Sequence, residues 1–188
     1  MKKVAVIILI CFMGLTSFAQ TQLEREFQKF EETHVDNISD DLFLNAAFCE
    51  KYGLKSASSG SQRMKMWTSV DGDNAEKFIK VCDVRWHFKS KKEALESYHK
   101  FMDIISEGGK EITDHSIKIK GVQELRIFET GDNMRKMMEA FKITEKECYY
   151  FLFVCNGYVA KVFVNHKQGT TLEQASVFAV EAARLLNK

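Results

Sequence analysis

The alternation of apolar and polar residues is most regular between Cys148 and His166, and it predicts a β-hairpin there. Asn156-Gly157 separates two alternating runs, and this dipeptide favours a two-residue type I′ turn between paired strands. Such a turn would place Cys155 opposite Tyr158. Both faces of the two runs are apolar, so we expect this hairpin to lie at the centre of a sheet that is covered on both sides.

Helical spacing of apolar residues predicts four helices. Ser90 and Glu93 have the spacing of a capping box at the start of one helix, and Thr171 and Gln174 have it at the start of another. Gly53 can end the second predicted helix of the chain. The four predicted helices span Gln22–Val35, Asp40–Tyr52, Ser90–Ile105 and Leu172–Leu186.

Period-two patterns predict further strands at Met64–Val70 and Phe78–Phe88, and two short ones within Ile112–Phe128. The small, polar stretch from Leu54 to Arg63 is typical of a loop. These elements together predict an α+β fold. Its mostly antiparallel sheet is centred on the C-terminal hairpin and covered by helices.

The strand predicted at Phe78–Phe88 has one face that becomes polar along its length. That face carries Ile79 and Val81, followed by Asp83, Arg85 and His87. We expect this end of the strand to be wet. Its three polar residues form the contact rim that we would examine first, although a solvated strand end is the simpler explanation.

The first residues have the pattern of a secretory signal peptide. Lys2 and Lys3 precede an apolar run from Val4 to Leu15, and Ser17 and Ala19 are small residues at the positions required for cleavage. The run is shorter than the roughly 20 residues of a membrane-spanning helix. We therefore predict a signal peptide at residues 1–19 and a single domain at 20–188. The protein would be exported to the periplasm or the outside, with no stable membrane anchor.

Composition and charge limit the classes of binding partner that we expect. The chain has 27 Lys and Arg against 26 Asp and Glu, and 45% of its residues are hydrophobic. A chain of this length can bury a sizeable core without disulfides. No basic stripe is present that could neutralise phosphates, so a nucleic-acid partner is not expected.

Four cysteines remain after the predicted cleavage: Cys49, Cys82, Cys148 and Cys155. Export would place them where disulfides persist. Cys148 and Cys155 lie at opposite ends of one predicted strand, more than about 20 Å apart, whereas a disulfide needs Cα atoms within roughly 7 Å. The pairings left open are Cys49–Cys148 with Cys82–Cys155, or Cys49–Cys155 with Cys82–Cys148. A single bridge beside two buried thiols, or no bridge at all, is also compatible with the sequence.

The sequence carries no local motif for catalysis or for a bound cofactor. No H-x-x-x-H or C-x-x-C spacing occurs, and such spacings mark many metal sites. Asp71–Glu76 resembles a calcium loop but lacks the glycine at its sixth position. We therefore predict no catalytic, cofactor-binding or metal-binding residue, and we lean against an enzyme.

Three classes of function are compatible with these observations. The favoured one is a non-catalytic binding protein of the cell envelope that acts through a protein partner, as an inhibitor or an immunity-type factor. The alternatives are a carrier of a small molecule or lipid with an apolar cavity, and a hydrolase whose active site is assembled from scattered residues. The sequence does not indicate the oligomeric state.

Overall fold

A computed structural model describes residues 22–33, 38–58, 61–71, 75, 77–106, 108–132, 135–136, 146–167 and 169–188. The chain divides into two compact units, Met1–Val35 and Asp36–Lys188. The predicted signal peptide lies outside the described residues, and so does most of the Asp71–Glu76 segment, for which the sequence favours a turn over a calcium loop. None of the helices formed by the described residues is both long enough and apolar enough to cross a membrane.

In the first unit the described residues form one amphipathic helix, α1 (Gln22–Thr33). Leu23, Phe27 and Phe30 are half-buried on one of its faces, and the rings of Phe27 and Phe30 stack with centroids 6.1 Å apart. Their spacing of three and four residues brings them onto one face, as the sequence pattern predicts.

In the second unit the described residues form a single antiparallel sheet of seven strands, in the order β1-β2-β3-β7-β6-β5-β4. The two halves of the C-terminal hairpin, β6 and β7, thus lie inside the sheet, with β3 and β5 as their outer neighbours. The strands are β1 (Leu54–Ala57), β2 (Met64–Ser69), β3 (Phe78–His87), β4 (Lys110–Glu111), β5 (Glu124–Glu129), β6 (Lys146–Cys155) and β7 (Tyr158–Lys167).

The central hairpin has the predicted register. Asn156 and Gly157 form its two-residue turn with φ of 54° and 86°, and positive φ at both central positions is what a type I′ turn requires. Cys155 lies opposite Tyr158, as expected. Every residue of β6 from Phe151 to Cys155 is buried. Because successive residues point to opposite faces, the hairpin is covered on both sides, as predicted.

Two long helices provide this cover, α3 (Lys91–Ile105) and α4 (Leu172–Leu186). Helix α4 presents small residues such as Ala179 and Ala183, and it packs on the sheet face that carries Phe151 and Phe153. Successive residues of a strand point to opposite faces. Helix α3 packs against β6 and β7 on the other face, where the hydroxyl of Tyr98 donates a hydrogen bond of 3.1 Å to the Leu152 carbonyl. The predicted α+β class is therefore confirmed.

The prediction of one long helix at Asp40–Tyr52 is wrong, because the chain there forms three short helical segments. A 3₁₀ turn at Asp40–Leu42 is followed by extended backbone at Phe43, by α2 (Ala46–Cys49) and by a second 3₁₀ turn at Glu50–Tyr52. Asn45 interrupts the helical pattern because its side chain accepts a hydrogen bond of 2.9 Å from the Phe48 amide, and it therefore acts as the N-cap of α2.

Two other predictions at the sheet edges need correction. Strand β1 lies within the stretch that was predicted to be a loop, where Leu54 is buried against the core. Of the two short strands predicted within Ile112–Phe128, only β5 forms. Ile117 and Ile119 still turn their side chains to the core, so their alternation reflects burial of one side of an irregular segment.

Candidate functional site

Asp83 and Arg85, two of the three residues of the predicted contact rim, form a buried ion pair on β3. Both side chains are 0% exposed. Arg85 donates from Nε to one carboxylate oxygen of Asp83 at 2.9 Å and from Nη2 to the other at 2.7 Å. This two-point geometry is the strongest form of carboxylate–guanidinium contact.

The ion pair joins three parts of the second unit. The Leu44 amide donates a hydrogen bond of 2.9 Å to Asp83, and the guanidinium carbon of Arg85 lies 5.0 Å from the ring centroid of Phe43. From α4, the carbonyl of Ala182 lies 3.4 Å from Arg85 Nη2. The Nη1 atom of Arg85 is buried without a hydrogen-bond partner among the described residues.

The expectation of a wet strand end is therefore wrong at Asp83 and Arg85. The Phe43-Leu44 segment and α4 cover them, and these segments are remote from β3 in the sequence. His87, the third residue of the predicted rim, is exposed. Its ring stacks on that of Tyr158, the residue opposite it on β7, with centroids 4.6 Å apart and an interplanar angle of 27°. Its role as a contact residue stays a prediction.

We call these two stacked rings the His87–Tyr158 pair. Both residues lie at the ends of paired strands. Tyr158 is the first residue of β7, directly after the hairpin turn. The Phe88 amide donates a hydrogen bond of 2.9 Å to the Gly157 carbonyl, which ties the end of β3 to that turn. Both rings therefore project from adjacent strand ends, and neither depends on a loop for its position.

Sequence reasoning missed a second polar group, on the β4–β5 side of the sheet. Arg126 makes a two-point contact with the carboxylate of Glu111, and His99 of α3 lies 3.1 Å from a carboxylate oxygen of Glu124. The hydrogen bond from Arg126 lowers the pKa of Glu111. These residues belong to separate elements, so the sequence offers only ordinary strand alternation as a signal. Each of the two carboxylates has a nitrogen partner within the group, Arg126 for Glu111 and His99 for Glu124.

The four cysteines are buried, and no disulfide joins any two of them. Of the alternatives that the sequence left open, the structure has four free thiols, and the fold distributes them over α2, β3 and the two ends of β6. Burial, followed by the nearby carboxylates of Asp83 and Glu181, raises the pKa of the Cys49 thiol to about 12. Since the thiolate is the nucleophilic form, Cys49 is poorly suited to covalent catalysis.

Within the part of the chain that the structure describes, no group of three or more His, Cys, Asp or Glu residues is arranged to hold a metal ion. The candidate site is therefore the His87–Tyr158 pair, in which the His87 side chain is exposed and the Tyr158 side chain is half-buried. The buried Asp83–Arg85 ion pair lies on the same strand as His87. The chemistry of the candidate site is that of contact through stacking and hydrogen bonding.

The comparisons with known proteins concern the fold. No family model matches the chain, and no curated protein matches it either. Its architecture, an antiparallel sheet between helices, is similar to that in the crystal structure of the extracellular domain of PknH from Mycobacterium tuberculosis, with a TM-score of 0.50. The match covers 81% of this chain and 98% of that chain at 12% sequence identity. Identity this low shows a shared fold and nothing about the activity of this chain.

Proposed function

We propose that this chain is an exported, non-catalytic binding domain of the cell envelope that contacts a protein partner through the His87–Tyr158 pair. Two observations support the location. The first residues have the pattern of a signal peptide, and the fold spans nearly all of a domain that is extracellular in another protein.

The single observation that carries the contact assignment is the aromatic stack at the end of β3, where the exposed His87 ring lies on the half-buried Tyr158 ring. Tyr is enriched at the energetic centres of protein interfaces, because its ring offers a large contact area and its hydroxyl a hydrogen bond. His87 adds a ring with two polar nitrogen atoms. Since both residues project from paired strands, little conformational freedom would be lost when a partner binds.

The Asp83–Arg85 ion pair supports this surface without touching the partner. It lies on the same strand as His87 and fixes β3 to the Phe43-Leu44 segment and to α4. In the proposed function the ion pair therefore positions β3, while the His87–Tyr158 pair contacts the partner.

The test begins with the full chain, tagged at its C-terminus and produced in the cells that naturally make it. It is purified from the envelope and culture fractions, and bound molecules are identified by mass spectrometry. The same capture is repeated with the double variant His87→Ala/Tyr158→Ser. The matched control is His99→Ala, which removes another exposed histidine, one that lies on α3 and pairs with Glu124.

We expect one stoichiometric protein partner, retained by the control and lost by the double variant. Interface hot spots contribute about 2 kcal/mol or more, which corresponds to at least about a 30-fold rise in Kd. A partner that binds the double variant unchanged would refute the contact assignment. A bait that carries only a lipid or small molecule would refute the binding function and favour a carrier.

A further inference from the structure

His166, near the end of β7, is a buried titratable residue that the proposed function does not use. Its side chain is 0% exposed. Its ring stacks on that of Tyr149 from β6, with centroids 4.5 Å apart and an interplanar angle of 16°. In the strand register it lies between Phe78 on β3 and Glu147 on β6.

The hydrogen bonds of His166 identify its tautomer. Nδ1 lies 2.9 Å from the backbone carbonyl of Lys167. A carbonyl only accepts, so Nδ1 carries the proton of the neutral ring and Nε2 has a bare lone pair. Nε2 is buried and has no hydrogen-bond partner among the described residues. The site therefore accommodates a neutral imidazole, and none of the described residues offers an acceptor to a second N–H.

We propose that His166 is an acid-sensitive residue at the corner where the end of β7 pairs with the start of β3, and that this corner loosens when Nε2 takes up a proton. The new N–H would be a charged donor buried without an acceptor, which is strongly unfavourable. The pairing at this corner is already irregular, because the register shifts between Phe78 and Lys80. A hydrogen bond of 2.7 Å from the Lys167 amide to the Lys77 carbonyl closes the corner, and it is the first bond that we expect to open.

The charged residues around His166 do not cancel this effect. They are Glu147, opposite His166 on β6, Lys167, beside it on β7, and Lys77, whose carbonyl accepts a hydrogen bond from the Lys167 amide. Burial lowers the pKa of His166, and this outweighs the opposing contributions of the Lys167 carbonyl and the Glu147 carboxylate. The folded protein therefore binds this proton less readily than the unfolded chain does.

The sign of the pH dependence follows from that difference. Above the unfolded pKa of histidine, about 6.5, the ring is neutral in both states and has no effect. As the pH falls below that value, the unfolded chain takes up a proton that the folded protein resists. Stability then falls until the lower pKa of the folded state is reached.

Two measurements on the full chain test this contact. Histidine ring signals in nuclear magnetic resonance spectra report the titration midpoint of His166 in the folded protein. Guanidinium unfolding at about pH 7.5 and about pH 5 is then compared between the wild type, His166→Phe and the control His99→Gln. His99 is exposed and paired with Glu124, so its replacement should leave the excess sensitivity to acid in place.

We expect the unfolding constant of the wild type to rise more steeply in acid than that of His166→Phe, by at most about tenfold per pH unit for one proton. The protection factor of the Lys167 amide, which is the intrinsic hydrogen-exchange rate divided by the observed rate at the same pH, should also fall in acid in the wild type. Equal pH dependence of the two proteins would refute the proposal. If His166→Phe does not fold, the nuclear magnetic resonance titration of the wild type is the remaining test. A titration midpoint of His166 at or above about 6.5 would then refute the proposal.

Discussion

Replacement of Asp83 by leucine tests whether the buried ion pair organises the second unit. The change removes the carboxylate that accepts two hydrogen bonds from Arg85 and one from the Leu44 amide. Leucine has the same branched side chain of four heavy atoms, with two methyl groups in place of the carboxylate oxygens, so the main effect is electrostatic. The guanidinium of Arg85, 0% exposed, is left in the core with no counter-charge among the contacts that the structure shows.

The expected loss of stability is large. Removal of one partner from a buried ion pair costs about 3–5 kcal/mol, and a buried amide without an acceptor costs about 1–3 kcal/mol. These contributions overlap, because one carboxylate makes both contacts, so we expect a loss of about 4 kcal/mol for Asp83→Leu. A typical domain has only about 5–15 kcal/mol in total, so the variant should be close to unfolding.

The double variant Asp83→Leu/Arg85→Met separates charge from packing. It removes both charges, and apolar replacements of buried ion pairs are often neutral or even stabilising. We therefore expect the double variant to be more stable than Asp83→Leu alone. Lys92→Met is the control: Lys92 and Glu96 form an exposed pair on α3, and such helix pairs contribute only about 0.3–0.5 kcal/mol.

Guanidinium unfolding followed by tryptophan fluorescence provides the measurement. The chain has two tryptophans, Trp67 and Trp86, and both are buried, so unfolding changes the surroundings of each. A loss below about 1 kcal/mol for Asp83→Leu would refute the reasoning, since that is the effect of an ordinary neutral hydrogen bond. A double variant less stable than the single one would refute it as well.

Two further predictions concern the thiols and a helix cap. In the folded protein the four buried cysteines should react with Ellman's reagent far more slowly than after unfolding in guanidinium. The reason is that burial raises the pKa of thiols such as Cys49. Fast reaction of all four cysteines in the native state would contradict their burial. Thr171→Ala should cost about 1 kcal/mol, because the Thr171 hydroxyl accepts a hydrogen bond of 3.2 Å from the Gln174 amide. Thr171→Ser should keep that stability in the same unfolding assay, and an equal loss in both variants would exclude the cap as the cause.

The sequence predicted best those elements whose signals are local. The Asn156-Gly157 turn determines the register of β6 and β7, and the capping residues Ser90 and Thr171 determine where α3 and α4 begin. Each signal requires only a few neighbouring residues with known backbone preferences. The central hairpin and both covering helices could therefore be predicted without knowledge of tertiary contacts.

The errors arose where distant segments decide the outcome. Asp83 and Arg85 alternate like residues on a wet strand face, but the Phe43-Leu44 segment buries them and Asp83 in turn fixes Leu44. That same contact holds the backbone extended where helical spacing had predicted a continuous helix. The His87–Tyr158 pair likewise depends on the pairing of β3 with β7. No local sequence pattern predicts that pairing.

The strand order also has a consequence for how the chain folds. Strand β3 pairs with β7, and in the chain β7 comes after α3, β4, β5 and β6. Until β7 is available, β3 has an open edge, and such an edge can pair with the wrong strand or with another molecule. Contacts between segments so far apart form slowly. The three strands β1–β3 therefore stay exposed to misassembly until the central hairpin closes the sheet, and the rate of that closure governs how much of the newly made protein escapes aggregation.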